Sequence, residues 1–160
     1  MKRTTLVRAF ALGLLAVMAS IGVVAATAGS GATPTTFSRG TLDARVKIHT
    51  PDLKFSTRHD IDIVTQAITI TPGGHTGWHS HPGPVFVTIA AGTMSFYDAD
   101  DPSCSRITYA TGNSFIDRGG GHVHIARNEG TVDLVLYATY LVPVGAGVRT
   151  DANAPGTCPF

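Results

Sequence analysis

The chain has 160 residues, with 12 Lys and Arg against 11 Asp and Glu, and only two cysteines. That length suffices for one domain with its own hydrophobic core. The net charge is close to zero and no Lys/Arg cluster occurs outside the extreme N-terminus, so we expect no nucleic-acid partner.

Residues 1–28 have the pattern of a secretory signal peptide. The basic "MKRTTLVR" precedes a long apolar stretch, and small residues end at Ala28, where we expect cleavage. An uncleaved N-terminal anchor is the alternative. Cleavage would remove Lys2, Arg3 and Arg8 and leave 9 basic against 11 acidic side chains, a net charge of −2. We therefore expect a secreted or extracytoplasmic protein without membrane attachment after cleavage.

Residues 29–40, "GSGATPTTFSRG", are small, polar and contain Gly and Pro, which predicts a flexible leader. Residues 41–160 then form one domain without internal repeats. Stretches such as "DIDIVTQAITI" and "PVFVTIAAGTMSFY" alternate apolar with polar residues or are rich in β-branched residues, and turn residues separate them. This pattern is typical of an all-β sandwich or barrel.

Cys104 and Cys158 both lie in the expected mature chain. An even number of cysteines in an exported protein predicts a disulfide. The bridge would attach the C-terminal tail to the loop "DADDPSCS". Two free thiols, or two metal ligands, are the alternatives.

Two His-x-His pairs are the main chemical signal in the sequence. His79 and His81 form one pair, and His122 and His124 form the other. Residues i and i+2 of a strand face the same side, so each pair could present two imidazoles to a common space. Neutral imidazole is a frequent ligand of divalent transition metals. The two pairs together predict a metal site.

The segment "GGHTGWHSHPGPVFVTIAAG" resembles the first sequence motif of the cupin superfamily, G-x5-H-x-H-x(3,4)-E-x6-G. Gly73 and Gly92 match the outer glycines, and His79 and His81 match the histidines. Val85 stands where the motif has its glutamate. The chain thus resembles a small cupin that lacks the carboxylate ligand of this motif.

The segment "GNSFIDRGGGHVHIARN" resembles the second cupin motif, G-x5-P-x-G-x2-H-x3-N. His124 and Asn128 match its last two positions, Gly121 matches its glycine, and Gly119 replaces its proline. The resemblance covers approximately residues 60–142, within the domain at 41–160.

The resemblance implies a single jelly-roll (cupin) β-barrel with a metal held by His79, His81 and His124. It also implies a small-molecule substrate or ligand and allows a homodimer. Three-histidine cupin sites resemble those of thiol and diketone dioxygenases, which makes Fe(II) the first expectation. Zn, Mn, Ni and Cu remain open.

His122 is a further candidate, either as a ligand or as a catalytic group, and a rim position is the alternative. Three hypotheses follow for the protein: a metal-dependent, dioxygenase-like oxidoreductase; a non-catalytic extracytoplasmic cupin that binds a small molecule or a metal; or a structural domain. The first is our leading expectation, and the non-catalytic binding cupin is the alternative.

Overall fold

Residues 26–160 form twelve β-strands in a computed structural model of the chain. No helix in this described part is long and apolar enough to cross a membrane. The expected signal segment, 1–28, lies almost entirely outside the described residues. In chain order the strands are β1 (Ser30–Leu42), β2 (Lys47–His49), β3 (Lys54–Ser56), β4 (Ile61–His75), β5 (His79–Ser80), β6 (Val85–Ala91), β7 (Thr93–Asp98), β8 (Ile107–Ala110), β9 (Ser114–Asp117), β10 (His124–Arg127), β11 (Leu134–Pro143) and β12 (Thr150–Asp151).

Ten of these strands belong to one antiparallel sheet, and β2 and β3 form a separate hairpin. The main path runs β12-β5-β10-β4-β11-β6-β9, with β1 paired to β4 and with β7 paired to both β10 and β8. The sheet curls into a nearly closed barrel. This confirms the predicted all-β, single jelly-roll fold.

The barrel interior is built by alternation along β4, β6 and β11. Every second residue of β6 and β11 is buried, as expected for strands with one face on the core. Full burial of each large apolar side chain contributes about 1.5–3 kcal/mol. The buried residues of these three strands include Val64, Ile68, Ile70, Val85, Val87, Ile89, Leu134, Leu136 and Val142.

The flexible leader predicted for residues 29–40 is wrong for most of its length, because β1 begins at Ser30 and pairs with β4 as far as Leu42. Nearly all side chains of β1 are exposed, so the strand carries no alternating apolar pattern that the sequence could reveal. Main-chain pairing defines this strand instead, with register shifts near Ala32 and Ser38.

Asp62 ties β1 to the barrel. Arg39 Nε donates a 2.8 Å hydrogen bond to its carboxylate, and Thr41 Oγ1 donates one of 2.7 Å. The backbone N–H of Gly145 donates a third, at 2.9 Å. These contacts, led by the Gly145 N–H, lower the pKa of Asp62 from 3.8 to about 2. The buried carboxylate therefore joins β1, β4 and the loop after β11.

Thr27 lies ahead of the expected cleavage point, yet it is part of the folded structure. Its N–H donates to Ala152 O at 3.0 Å, and its Oγ1 accepts a 2.8 Å hydrogen bond from the N–H of Trp78. Cleavage after Ala28 would remove both bonds.

The C-terminal tail packs behind the strands that carry the predicted metal ligands. Cys104 and Cys158 form a disulfide, as predicted. The fully buried Trp78 donates from Nε1 to the carbonyl of Phe160 at 3.2 Å, and their rings stack. The Arg127 guanidinium lies 4.1 Å from the Phe160 ring centroid. The disulfide thus holds a tail that supports the back of β5 and β10.

Candidate metal centre

The structure brings together His79, His81 and His124, the three histidines predicted as metal ligands. His79 begins β5 and stands directly opposite His124, the first residue of β10, in the antiparallel pairing. His81 follows β5 by one residue and faces the same side as His79, as the i, i+2 spacing predicts. Strand β5 with the residue that follows it, and the neighbouring strand β10, therefore supply all three imidazoles.

The three rings face one small space. Ring centroids are 4.8 Å apart for His79 and His81, 4.5 Å for His79 and His124, and 5.1 Å for His81 and His124. One nitrogen from each ring lies within 4.8 Å of the other two. Each imidazole can thus contribute one nitrogen to a common cation.

Hydrogen bonds to main-chain carbonyls orient all three rings. Nδ1 of His79 bonds to Gly77 O at 2.9 Å, and Nδ1 of His81 bonds to Val148 O at 2.7 Å. Nδ1 of His124 lies 3.3 Å from the carbonyl of its neighbour two residues earlier. A carbonyl only accepts, so each Nδ1 carries the proton and each Nε2 keeps its lone pair. This is the tautomer that ligates a metal through Nε2.

Burial keeps these imidazoles neutral. Burial, reinforced by the neighbouring rings, lowers the pKa of His79 from 6.5 to about 2. Burial likewise lowers the pKa of His124 to about 4 and shifts the pKa of His81 downward. A neutral imidazole is the form that binds a metal. The donor set therefore fits a divalent transition metal at neutral pH, as in three-histidine sites with an open position.

The histidines line a cavity of about 370 Å³ inside the barrel. That volume is within the range of small-molecule sites. The ring of Phe96 stacks on His124 at 5.0 Å, and the ring of Tyr140 meets His81 edge-on at 5.3 Å. The other walls are mainly apolar and include Val85, Val87, Met94, Phe115, Leu136 and Ala138.

Arg149 and Asp151 also line the cavity, and they pair with each other. The Arg149 guanidinium donates in addition to Thr76 O at 3.0 Å.

Val85 occupies the position of the missing glutamate and faces this cavity, where it is 1% exposed. Its direct cross-strand partner is Asp117, the last residue of β9. Asp117 Oδ1 accepts the N–H of Gly119 at 2.7 Å, and Oδ2 lies 3.3 Å from Nδ1 of His124. Asp117 thus places a carboxylate near the histidines, but on β9 and not on β6, where Val85 lies. This carboxylate faces Nδ1 of His124, the nitrogen that carries the proton.

His122 does not join the other three histidines around the main cavity. Its Nδ1 lies 3.2 Å from Asp117 Oδ2, and its ring faces Asp98. His75 accepts the N–H of Gly77 on its own Nδ1 at 3.1 Å. Sequence reasoning did not select Asp117 or the phenol of Tyr140 as site residues. The position of Asp117 just before the Gly-rich loop was a usable signal, whereas Tyr140 resembles any core aromatic residue.

Comparisons with known proteins return a family model and solved structures that are similar to this chain. The family model described as "Cupin domain" matches residues 67–140. A cupin domain protein from Bordetella pertussis aligns over 69% of this chain and 93% of its own, with 18% identity and a TM-score of 0.47. A cupin-like protein from Thermotoga maritima aligns over 57% of this chain and 65% of its own, with 20% identity and a TM-score of 0.49.

A conserved protein with a double-stranded β-helix domain from Klebsiella pneumoniae aligns over 57% of this chain and 75% of its own. It has 22% identity and a TM-score of 0.47. No curated protein matches the chain.

The fold and the clustered histidines define a small β-barrel protein with a candidate metal centre. The match of residues 67–140 to the cupin domain model, together with this architecture, supports assignment of the chain to the cupin superfamily.

Proposed function

We propose that this protein is an extracytoplasmic cupin that holds one divalent transition metal through His79, His81 and His124, and carries out an oxidative step on a small, largely apolar molecule. The observation that carries the proposal is the set of three Nδ1–carbonyl bonds, which leaves three Nε2 atoms free at the wall of an apolar cavity. Bound Fe(II), our first choice over Zn, Mn, Ni or Cu, would supply Lewis acidity and open positions for substrate and O₂.

The cavity walls favour a substrate with an apolar body. Val85, Val87 and Phe115 give the space next to the histidines an apolar wall. Burial raises the pKa of Tyr140 to about 12, so its phenol stays protonated and can donate a hydrogen bond to a substrate oxygen. We infer that the apolar wall and this phenol position a small oxygen- or sulfur-bearing molecule.

The disulfide supports a location outside the cytoplasm. Structural disulfides are typical of proteins in oxidising compartments, and Cys104–Cys158 closes a span of 54 residues. This agrees with the signal segment proposed for residues 1–28.

A non-catalytic binding cupin is the second candidate. The charged groups at the cavity already have partners, because Asp117 accepts from Gly119 and Arg149 pairs with Asp151. Both charged groups are therefore engaged in contacts within the protein. Such a pocket fits reversible binding of an apolar molecule as well as it fits catalysis.

Metal content of the protein purified without a histidine tag tests the metal site. We expect close to one equivalent of a transition metal in the wild type and its loss in His81→Ala. The matched control is His49→Ala, which removes an exposed histidine of β2 and should leave the metal content unchanged. Equal metal content in the wild type and His81→Ala would contradict the proposed site.

Oxygen uptake then separates the two candidates. The Fe(II)-loaded protein should consume O₂ with at least one member of a panel of thiols, diketones and phenols, and His81→Ala should not. Binding of a panel member, detected by calorimetry, without any O₂ uptake would favour the non-catalytic candidate.

A further inference from the structure

His122 is a nearly buried imidazole with one nitrogen that has no hydrogen-bond partner. Its side chain is only 7% exposed. Nε2 is fully shielded from solvent and lacks a well-formed hydrogen bond, although Asp98 Oδ2 lies 2.7 Å away. A buried polar atom in this state is uncommon and calls for a physical explanation.

The other nitrogen of His122 also faces a carboxylate. Nδ1 lies 3.2 Å from Asp117 Oδ2, within hydrogen-bonding distance. In the tautomer with its proton on Nδ1, His122 donates to Asp117 and keeps the lone pair of Nε2. A lone pair 2.7 Å from a carboxylate oxygen is repulsive unless a cation lies beside both atoms.

A second carboxylate stands at the same place. Asp100 offers an oxygen that lies within 4.8 Å of the ligand atoms of Asp98 and His122. Asp98 uses Oδ1 to accept the N–H of Asp100 at 2.8 Å, which leaves its Oδ2 facing His122. Asp100 is exposed and also pairs with Arg118 at 2.7 Å. The surface depression next to these groups is lined by the glycines 119–121, which leave room for water ligands.

We propose that His122 Nε2, Asp98 and Asp100 form a second divalent-cation site, separate from the three-histidine centre. One imidazole nitrogen and two carboxylate oxygens, completed by water, suit Zn²⁺. Asp117 acts as the outer carboxylate that fixes the His122 tautomer, an arrangement that recurs around metal-bound histidines. This site is distinct from the three-histidine centre of His79, His81 and His124, called the inner centre below, on which the proposed function rests.

Asp117 connects the two sites. Its Oδ2 lies 3.2 Å from Nδ1 of His122 and 3.3 Å from Nδ1 of His124. The same carboxylate oxygen therefore contacts a ligand of each centre.

Calorimetric titration of metal-free protein with Zn²⁺ alone tests the second site. We expect two binding events in the wild type. We assign the tighter event to the three histidines and the weaker event to the second site. Asp98→Asn/Asp100→Asn should therefore lose only the weaker event, and His81→Ala should lose only the tighter one. The control His49→Ala should retain both. The exposed Asp100→Asn variant, which leaves the barrel interior intact, should weaken the second event by about tenfold or more.

A single event in the wild type that is lost in His81→Ala would overturn the second site. Two unchanged events in Asp100→Asn and in the double variant would also overturn it. Loss of the tighter event in His81→Ala reports only on the inner centre, so failure of one site is distinguishable from failure of the other.

Discussion

At the residue scale, Val85 determines the charge of the inner centre. A glutamate there would face the cavity and place a negative charge among the histidines. Valine instead leaves three neutral imidazoles and an apolar wall, while the nearest carboxylate, Asp117, is already bonded to Gly119 and lies behind His124. A metal held here keeps more of its positive charge than it would in a site with a carboxylate ligand.

Val85→Glu tests this interpretation. Without metal, we expect a loss of about 3 kcal/mol in unfolding free energy, because a buried carboxylate must lose hydration or take up a proton. With Zn²⁺, the new ligand should raise affinity by about tenfold or more and recover much of that loss. Denaturant unfolding with and without Zn²⁺ measures both effects.

The matched control is Val87→Glu, which introduces the same charge two residues along the same face of β6. It should be destabilised without recovery by metal. An equal response of the two variants to Zn²⁺ would show that Val85 does not adjoin the metal position.

At the element scale, Asp62 attaches β1 to the barrel, and its contribution depends on pH. Its folded pKa of about 2 lies below the ordinary 3.8, so between these values the folded protein binds fewer protons than the unfolded chain. The stabilisation is therefore complete above about pH 4 and is lost as the pH falls toward 2. We expect Asp62→Asn to be less stable at neutral pH and to show a flatter decline between pH 4 and 2.

Urea midpoints measured across this pH range check that expectation. The exposed Asp60→Asn serves as the control and should follow the wild type. A parallel decline in Asp62→Asn and the wild type would show that the contacts of Asp62 with Arg39, Thr41 and Gly145 do not survive in solution.

The C-terminal tail is the second element whose attachment can be measured. Cys104→Ala/Cys158→Ala should lower the unfolding free energy by about 4 kcal/mol in the loop-entropy account of a bridge spanning 54 residues. The tail carries Phe160, which contacts Trp78 next to His79. Denaturant unfolding of the variant, and of the wild type with added reductant, should give the same loss. A loss below about 1 kcal/mol would mean that tail packing alone holds the segment.

At the scale of the whole molecule, metal binding should appear as global stability. A ligand at 100 times its dissociation constant adds about 2.7 kcal/mol. For a domain of this size, that corresponds to a rise in Tm of about 8 °C. Thermal unfolding with Zn²⁺, used as a redox-inert substitute for Fe(II), measures this rise. His81→Ala should lose the part of the Zn²⁺-induced rise in Tm that comes from the inner centre, whereas His49→Ala should show the full rise.

The sequence predicted those features of the whole molecule that depend on local pattern. Strand alternation gave the all-β class, and motif spacing selected the three histidines that the fold brings together. It missed β1, because that strand is held by backbone pairing and has almost no buried face. It also missed the contacts of Asp117 and the bond from His81 to Val148, since these depend on the register of β6 with β9 and on a separation of 67 residues.

Because main-chain carbonyls orient the three ligand histidines, substitutions elsewhere in the cavity can accumulate without removing those hydrogen-bond partners. Every Nδ1 is oriented by a main-chain oxygen, and a side-chain substitution cannot delete that oxygen. The cavity wall, by contrast, consists of ordinary side chains such as Val87, Met94 and Phe115. Mutational drift or laboratory evolution can therefore reshape the pocket for new molecules while the histidine geometry is inherited intact.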